Sequence, residues 1–531
     1  MSEKISLAGE WDFTFEDGSQ TRLPVPGCFD VSGEYRFRRG KGCYSRTVSG
    51  SGMMELACDG LGLRAEIFWN GNKIYSETTA YTPFKVRFDA GCDGEHELKI
   101  ICDNTIEETP ESEFRSFYDF YGFGGIYREI TLRRLPETFF DCVRILPDLE
   151  TGCIDLQVQL GGKEQPVTVW IDHEICGKMP GSGSQTFRIA SPRVWCPEEP
   201  ELHCLRLECG GDVYECRFGF RKIEIRNGQF YLNGQELKLA GVNRHDVFPD
   251  TGAAVTREQL YNDLKMIKDA GFNIIRGAHY PQSQMMLDLA DELGLLVWDE
   301  ILGWENPVDS LTDAEFQNRQ SHALTRMIQK SINHPCIIMW GFLNEAATND
   351  TAARDCVAKL YRTAKEQDPS RPVAFASMFG EKDLCLDLTD VVCFNTYPGW
   401  YGGTHTFFEP GLVTEQLEKL ASFVRNTPEL ADKPVIISEI GAASLIGDHS
   451  KKRWSEEYQA QLVACAVDYT LSHKELGGII LWQFCNSPVA DNVRIMMRPR
   501  GYNNKGLVDE YRRPKMVWHL FPGLLKKYAS R

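Results

Sequence analysis

At 531 residues the chain is too long for one ordinary core, and three domains are expected. With 42% hydrophobic and 25% charged residues it has a globular composition, and no run approaches the roughly 20 apolar residues of a membrane helix. A net charge of −17 argues against general nucleic-acid binding, which needs a basic surface.

The N-terminal run Met1-Ser2-Glu3-Lys4-Ile5-Ser6-Leu7-Ala8-Gly9-Glu10-Trp11 lacks a basic start followed by an apolar core, so no secretory signal is read there and the cytoplasm is the expected compartment. Residues 1–135 read as all-β. Short alternating runs such as Ala65–Trp69 are broken by the turn signal Asn70-Gly71-Asn72, and further runs follow at Lys85–Phe88 and Glu97–Ile101. A β-sandwich is the natural outcome. Residues 136–222 repeat the style in a smaller unit, with strands expected near Ile154–Leu160, Val167–Ile171 and His203–Cys209 and a flexible turn at Gly181–Ser184. Its size suits an immunoglobulin-like sandwich.

From residue 223 to 531 apolar strands alternate with amphipathic helices. Eight strands are expected to begin near Leu237, Asn273, Leu295, Cys336, Pro372, Asp390, Pro434 and Gly478. Helices are expected at Thr256–Ala270, Asp313–Ile332, Thr351–Glu366, Thr414–Arg425 and Ser455–Leu471; in the first, Leu260, Leu264 and Ile267 recur at helical spacing. Eight strand–helix units over this length fit a (β/α)8 TIM barrel.

The 18 cysteines stand singly, without a CxxC pair, and several sit in apolar runs, as Cys336, Cys393 and Cys485 do. Free thiols in a reducing compartment are the expectation. The histidines, His279 and His334 among them, form no HExxH or Cys/His spacing, so neither metal nor cofactor is expected. In so acidic a chain one basic cluster, Arg494, Arg498, Arg500, Lys505, Arg512, Arg513 and Lys515, points to an anionic group on a substrate.

Two glutamates end apolar strand runs in the barrel region: Glu345 after Ile337–Asn344 and Glu439 after Pro434–Ser438. Strand C-terminal ends face a TIM barrel's active site, and two carboxyls there are what glycoside hydrolysis needs. His245, His279, Asn395, Tyr397 and Trp482 follow or end other strands and project to the same rim.

In order along the chain come Trp69-Asn70-Gly71, Gly124-Gly125-Ile126-Tyr127-Arg128, Trp195-Cys196-Pro197 and Phe218-Gly219-Phe220-Arg221. The barrel region adds Gly241-Val242-Asn243-Arg244-His245, Asn273–Pro281, Asp299-Glu300, Asn344-Glu345 and Ser438-Glu439. Together these resemble glycoside hydrolase family 2 over essentially the whole chain, which implies a jelly roll for residues 1–135. The resemblance implies a retaining mechanism with Glu345 as acid/base, Glu439 as nucleophile and carboxyls roughly 5–5.5 Å apart. It further implies Asn344 as a donor to the sugar 2-hydroxyl. Asn503-Asn504-Lys505-Gly506 looks like the Asn-x-Lys motif of the family's β-glucuronidases, which gives Asn503 and Lys505 the substrate C6 carboxylate, with Arg498 or Arg500 assisting. By the same resemblance Asn395, Tyr397 and Tyr401 line the sugar site, Tyr397 bonds the nucleophile, Trp482 borders the sugar, and Asp119, with His279 nearby, reaches a sugar hydroxyl. The segment between Glu300 and His334 is short, so a long active-site loop of some bacterial members is absent and an open site for extended glycans is expected.

The activity implied is an exo-β-D-glucuronidase acting on β-linked uronides, as a homo-oligomer without nucleic-acid or membrane partners. A β-galacturonidase or mixed β-hexuronidase would use the same two glutamates. A β-galactosidase would be expected to need divalent metal and to lack Asn-x-Lys, and a non-catalytic carbohydrate-binding protein would normally have lost one of the carboxylates.

Overall fold

The computed structural model describes residues 4–31, 33–115, 119–402, 405–489 and 498–529. Its first part is a sandwich of two antiparallel sheets. Six strands lie in the order Gln20–Val25, Gly9–Phe15, Lys41–Gly50, Gly94–Asp103, Arg64–Trp69, Asn72–Glu77. Four lie opposite, in the order Lys4–Ser6, Ile130–Arg134, Met53–Cys58, Phe84–Asp89. Period-two patterning explains the burial: Phe84, Val86 and Phe88 face the core while Lys85 and Asp89 face out. Asn70 and Gly71 turn the hairpin at φ 48° and 77°, the left-handed pair that a tight two-residue connection requires.

A second, smaller sandwich follows. Strands Thr138–Asp148, Cys153–Gly162 and Gly183–Arg188 pack on Glu174–Met179, Val167–Ile171, His203–Cys209 and Asp212–Phe218 around Leu156, Val169 and Leu207. The turn expected at Gly181–Ser184 is shorter than its composition suggested. Gly183 and Ser184 already pair with Val158 and Gln157, and the Ser182 hydroxyl donates to Glu164 while accepting from the Leu160 amide.

After a small antiparallel sheet (Ile223–Leu237), eight parallel strands close a barrel. They are β1 (Leu239–Arg244), β2 (Ile274–Gly277), β3 (Leu296–Glu300), β4 (Ile337–Asn344), β5 (Val373–Ser377), β6 (Val392–Asn395), β7 (Val435–Glu439) and β8 (Gly478–Leu481). All eight are buried along their whole length, the pattern of a parallel sheet covered on both faces. The longer helices outside are α1 (Arg257–Asp269), α2 (Gln284–Leu293), α3 (Ala314–Ser331), α4 (Arg354–Gln367), α5 (Pro410–Asn426) and α6 (Glu456–Ser472). Thr256 and Gln259 form a reciprocal capping box at the start of α1. α5 starts at Pro410, ahead of the expected Thr414, because proline at the first turn loses no needed hydrogen bond. Among the described residues no helix is long and apolar enough to cross a membrane. All 18 cysteines are free.

The first sandwich shares its edge with the barrel. Tyr81 stacks on Tyr280 at 3.8 Å and 8°, and Phe114, Phe120, Phe123 and Tyr127 belong to the barrel's apolar cluster. Arg128 of the sandwich meets Asp246, just past β1, at 3.1 Å, with both side chains buried. Asp246 also accepts from Arg244 at 2.5 Å, and Arg244 pairs with Asp263 on α1. A buried charge stripped of its partner costs roughly 3–5 kcal/mol. Asp246→Ala should therefore lower the thermal midpoint sharply, and Arg128→Met should recover part of that loss in the double variant. Strictly additive losses would show that the pair does not couple the sandwich to the barrel.

Candidate active site

The barrel's C-terminal rim is organised by Arg276, a guanidinium on β2 with no exposure. Its Nε and Nη2 bond both oxygens of Glu300, on β3, at 3.0 Å each. Nη1 reaches Asn243 Oδ1 on β1 at 3.1 Å and Glu439 Oε1 on β7 at 3.0 Å. Nη2 also reaches Asn344 Oδ1 on β4 at 2.8 Å. Sequence reasoning quoted Arg276 only inside a motif. The signal was there: a cation within Ile274-Ile275-Arg276 on a buried strand must have buried partners. Asn243 and Glu300 were passed over in the same way.

Glu345 lies just past β4, where the backbone is left-handed at Leu343 (φ 51°) and at Glu345 itself (φ 55°), and where pairing with β5 slips between Gly341 and Asn344. Such conformations persist only where surrounding contacts hold them. Here the Glu345 amide donates to the Ala376 carbonyl at 2.8 Å, and the Glu305 amide to the Asn344 carbonyl at 2.8 Å. Asn395, ending β6, donates to Glu345 Oε1 at 2.8 Å and to Asn344 Oδ1 at 3.0 Å, and accepts from Ser438 at 2.8 Å. With Asn344 Oδ1 doubly occupied, its Nδ2 is buried without a partner among the described residues. Tyr397 donates to Glu439 Oε2 at 2.5 Å. His279 bonds Glu300 at 2.9 Å and stacks under Trp482 at 5.1 Å, while His245 meets Trp482 edge-on at 5.5 Å and packs on Phe120 of the first sandwich at 4.7 Å.

On the other side of the same mouth, Arg498 grips Asp119 through Nε (3.1 Å) and Nη2 (2.6 Å) and donates to the Tyr401 hydroxyl at 3.2 Å. Asn503 donates to Asp119 Oδ2 at 2.9 Å. Lys505 is buried, with its ammonium 3.4 Å from Asn503 Oδ1 and over the rings of Tyr397 (5.5 Å) and Tyr401 (5.1 Å). Thus Asp119, Tyr401, Arg498, Asn503 and Lys505 come together, and Tyr397 links them to Glu439. Arg500 does not join them: it pairs with Glu510 at 2.6 Å and donates to Asn504 at 3.2 Å. The basic cluster is likewise thinner than its composition suggested. Arg512 is held by Asp263 and Arg513 by Asp509, and Lys515 bonds neutral oxygens. Arg494, Phe117 and Tyr118 lie outside the described residues.

Asp291, His334 and Cys336 bring ligand-type atoms within 4.8 Å of one another at the opposite end of the strands. His334 already bonds Asp291 at 2.6 Å, and Asp291 accepts from the Cys336 amide at 2.9 Å, so the trio pins α2 to the start of β4.

The family model described as "Glycosyl hydrolases family 2, TIM barrel domain" matches residues 223–515, more than half of the chain. The chain belongs to glycoside hydrolase family 2. Among solved structures similar to this hydrolase is a GH2 β-galacturonidase from Eisenbergiella tayi bound to galacturonate, with a TM-score of 0.92 and 30% identity, covering 99% of this chain and 97% of that one. A β-glucuronidase from Faecalibacterium prausnitzii has a TM-score of 0.89 and 25% identity, covering 99% and 98%. In sequence, a β-glucuronidase of Streptococcus agalactiae is 29% identical, covering 96% of this chain and 94% of the relative.

The hydrolase's two carboxyls titrate apart for identifiable reasons. Burial, then the neighbouring Glu439, push Glu345 up to about 8, with Glu305 adding to the effect. Burial also raises Glu439, but Arg276 and the Tyr397 hydroxyl favour its anion and hold it at about 7. The first proton leaves Glu439, and its charge keeps the second on Glu345. Both site histidines are pushed well below their usual range, chiefly by burial, and are neutral near pH 7. Tyr397→Phe removes a bond to the Glu439 anion, so the acid limb of kcat/KM should move to higher pH by about one unit. An acid limb that stays put or moves down would show that Tyr397 does not stabilise that anion.

Proposed function

We propose that the protein is a retaining exo-β-D-glucuronidase in which Glu439 is the nucleophile and Glu345 the acid/base. Glu439 attacks the anomeric carbon while Glu345 gives its proton to the glycosidic oxygen. The aglycone leaves and a glycosyl–Glu439 ester remains. Glu345, now a base, takes a proton from the water that opens the ester, and both carboxyls return to their starting states. The orphaned Asn344 Nδ2 is suited to the sugar 2-hydroxyl, a contact that strengthens in the transition state. Trp482 over His279 supplies a flat wall beside the sugar. No step calls for a cofactor. The free thiols support a cytoplasmic setting, and a homo-oligomer, which light scattering would measure, is the assembly we expect.

The observation that carries the uronate reading is the buried Lys505 ammonium. Among the described residues its side chain bonds only neutral groups, Asn503 Oδ1 and the Tyr401 hydroxyl. A buried cation without a counter-charge is unfavourable unless a ligand supplies one, and a C6 carboxylate does. Lys505→Ala should cut kcat/KM on p-nitrophenyl β-glucuronide about a hundredfold more than on the β-glucoside. If the ratio of the two substrates does not fall, the Asn503–Lys505 turn is structural.

Glu345→Gln and Glu439→Gln should each abolish most turnover without unfolding the protein. The Glu345 variant should keep faster glycosylation of substrates with good leaving groups, which need little protonation, whereas the Glu439 variant should fail on all of them. Equal, mild losses would refute the assignment, and activity restored by a divalent metal after chelation would point to a galactosidase.

The second reading, a β-galacturonidase, takes its support from the similarity to the Eisenbergiella tayi enzyme and from Arg498, a donor that could meet an axial C4 hydroxyl. Asp119 supports the glucuronidase reading because a carboxylate suits an equatorial C4 hydroxyl as donor, and the axial epimer would leave that bond unmade at about 1–3 kcal/mol. A preference for p-nitrophenyl glucuronide over galacturonide of at least about tenfold, lost in Asp119→Ala, is expected. Faster hydrolysis of the galacturonide would overturn the epimer while leaving the two glutamates and the uronate contact in place.

A further inference from the structure

A lysine that meets a carboxylate from a turn is only as well placed as the turn's backbone. Three consecutive carbonyls of that turn are held by two buried side chains. Lys515 Nζ donates to the Asn504 carbonyl at 2.8 Å. Gln459 Nε2, from α6, donates one hydrogen to the Ala442 carbonyl at 2.9 Å and shares the other between the carbonyls of Lys505 at 3.2 Å and Gly506 at 3.1 Å. Both side chains sit in residues with 0% exposure. Lys515 completes its shell with the Ser444 carbonyl at 3.0 Å and Asn486 Oδ1 at 3.1 Å. An ammonium has three donors, and here each meets an oxygen from a different segment: one after β7, one after β8 and one in the turn itself.

This is an odd use of a lysine if stability were its only role. Three neutral oxygens balance the charge poorly, and burial pushes the Lys515 ammonium down to about 7 although Glu456, Asp509 and Glu510 favour its charged form. What a three-donor head provides is a fixed distance between three loops. The turn also has no slack on its far side: a side chain at Gly506 would meet the Asn486 amide nitrogen and the Val508 carbonyl, each at 2.3 Å.

We propose that Lys515, seconded by Gln459, is a positioning residue for uronate selectivity: it sets where the Lys505 ammonium stands in the pocket without itself touching the substrate. This rests on the reading that Lys505 receives the substrate carboxylate. A misplacement of about 1 Å in such a contact is enough to change rates severalfold to a hundredfold.

The test compares kcat and KM on p-nitrophenyl β-glucuronide and β-glucoside for Lys515→Met and Gln459→Leu, each alone and combined with Lys505→Ala, in full-length protein checked for folding by circular dichroism. Each single variant should lower the glucuronide-to-glucoside ratio of kcat/KM by about tenfold, mainly through KM on the glucuronide. In the Lys505→Ala background neither should lower it further. Equal losses on both substrates, the mark of a merely structural role, or a full additional fall of the ratio on top of Lys505→Ala, the mark of an effect independent of Lys505, would overturn the inference. If Lys505→Ala lowers the ratio and neither Lys515→Met nor Gln459→Leu does, this inference alone fails. If Lys505→Ala leaves the ratio unchanged, the uronate reading fails first. Should Lys515→Met not fold, Gln459→Leu, which removes the donor to the Lys505 and Gly506 carbonyls, and Asn486→Ala, which removes one partner of Lys515, decide the matter by the same ratio.

Discussion

The active-site end of the barrel depends on one fully buried guanidinium. Arg276 has five N–H donors in a rigid plane, and bonds to Glu300, Asn243, Glu439 and Asn344 occupy them all. Those four partners lie on β3, β1, β7 and β4, so a single planar group fixes the relative heights of four strand ends. A lysine at the same place would offer three rotatable donors and no plane. The arrangement also sets the charge balance. One positive charge faces two carboxylates, Glu300 and Glu439, and burial together with the Glu439 charge keeps a third carboxyl, Glu345, protonated.

The mouth of the barrel is finished by parts that are not barrel. The first sandwich lends Asp119 and Phe120, and its hold on the barrel runs through Tyr81 against Tyr280 and Arg128 against Asp246. Tyr280 donates nothing to the proposed chemistry, yet its hydroxyl accepts from the Asp246 amide at 2.9 Å and lies 3.3 Å from His245 Nδ1. Docking of the sandwich and the shape of the sugar site therefore share residues. A change at this seam reaches Trp482 through His245, and Asp119 through the segment that carries Phe120.

How much was legible in the sequence follows from how each signal arises. The strand and helix order was legible because buried parallel strands are continuous apolar runs and the helices between them carry period 3.6, as Leu260, Leu264 and Ile267 do. Glu345 and Glu439 stood out because a carboxyl is anomalous at the end of such a run. Arg276 is equally anomalous, but its meaning depends on four partners at positions 243, 300, 344 and 439, which no local pattern brings together. The basic cluster misled in the opposite direction: Arg500, Arg512 and Arg513 are close to Lys505 in sequence, and each has a carboxylate partner that only folding reveals. Arg498 kept its place in the site, and the bidentate pair it makes with Asp119, 379 positions away, could not be seen in the chain.

The two halves of the mouth carry opposite net charge, and that contrast is the last step in connecting fold to reaction. At the sandwich end Arg498 and Asp119 cancel, which leaves the single positive charge of Lys505. At the other end Arg276 is outnumbered by Glu300 and Glu439, which leaves a single negative charge. A uronide approaching its transition state is itself a dipole, with a fixed carboxylate at C6 and positive charge developing at the anomeric carbon. A site whose positive pole is buried at one end and whose negative pole is buried at the other interacts with that dipole most strongly when the anomeric charge is fully grown. A neutral sugar engages only one of the two poles. In the proposed reaction the oriented groups would be fixed before the substrate arrives, by Arg276 at one end and by the clamped turn at the other, leaving little reorganisation for the chemical step.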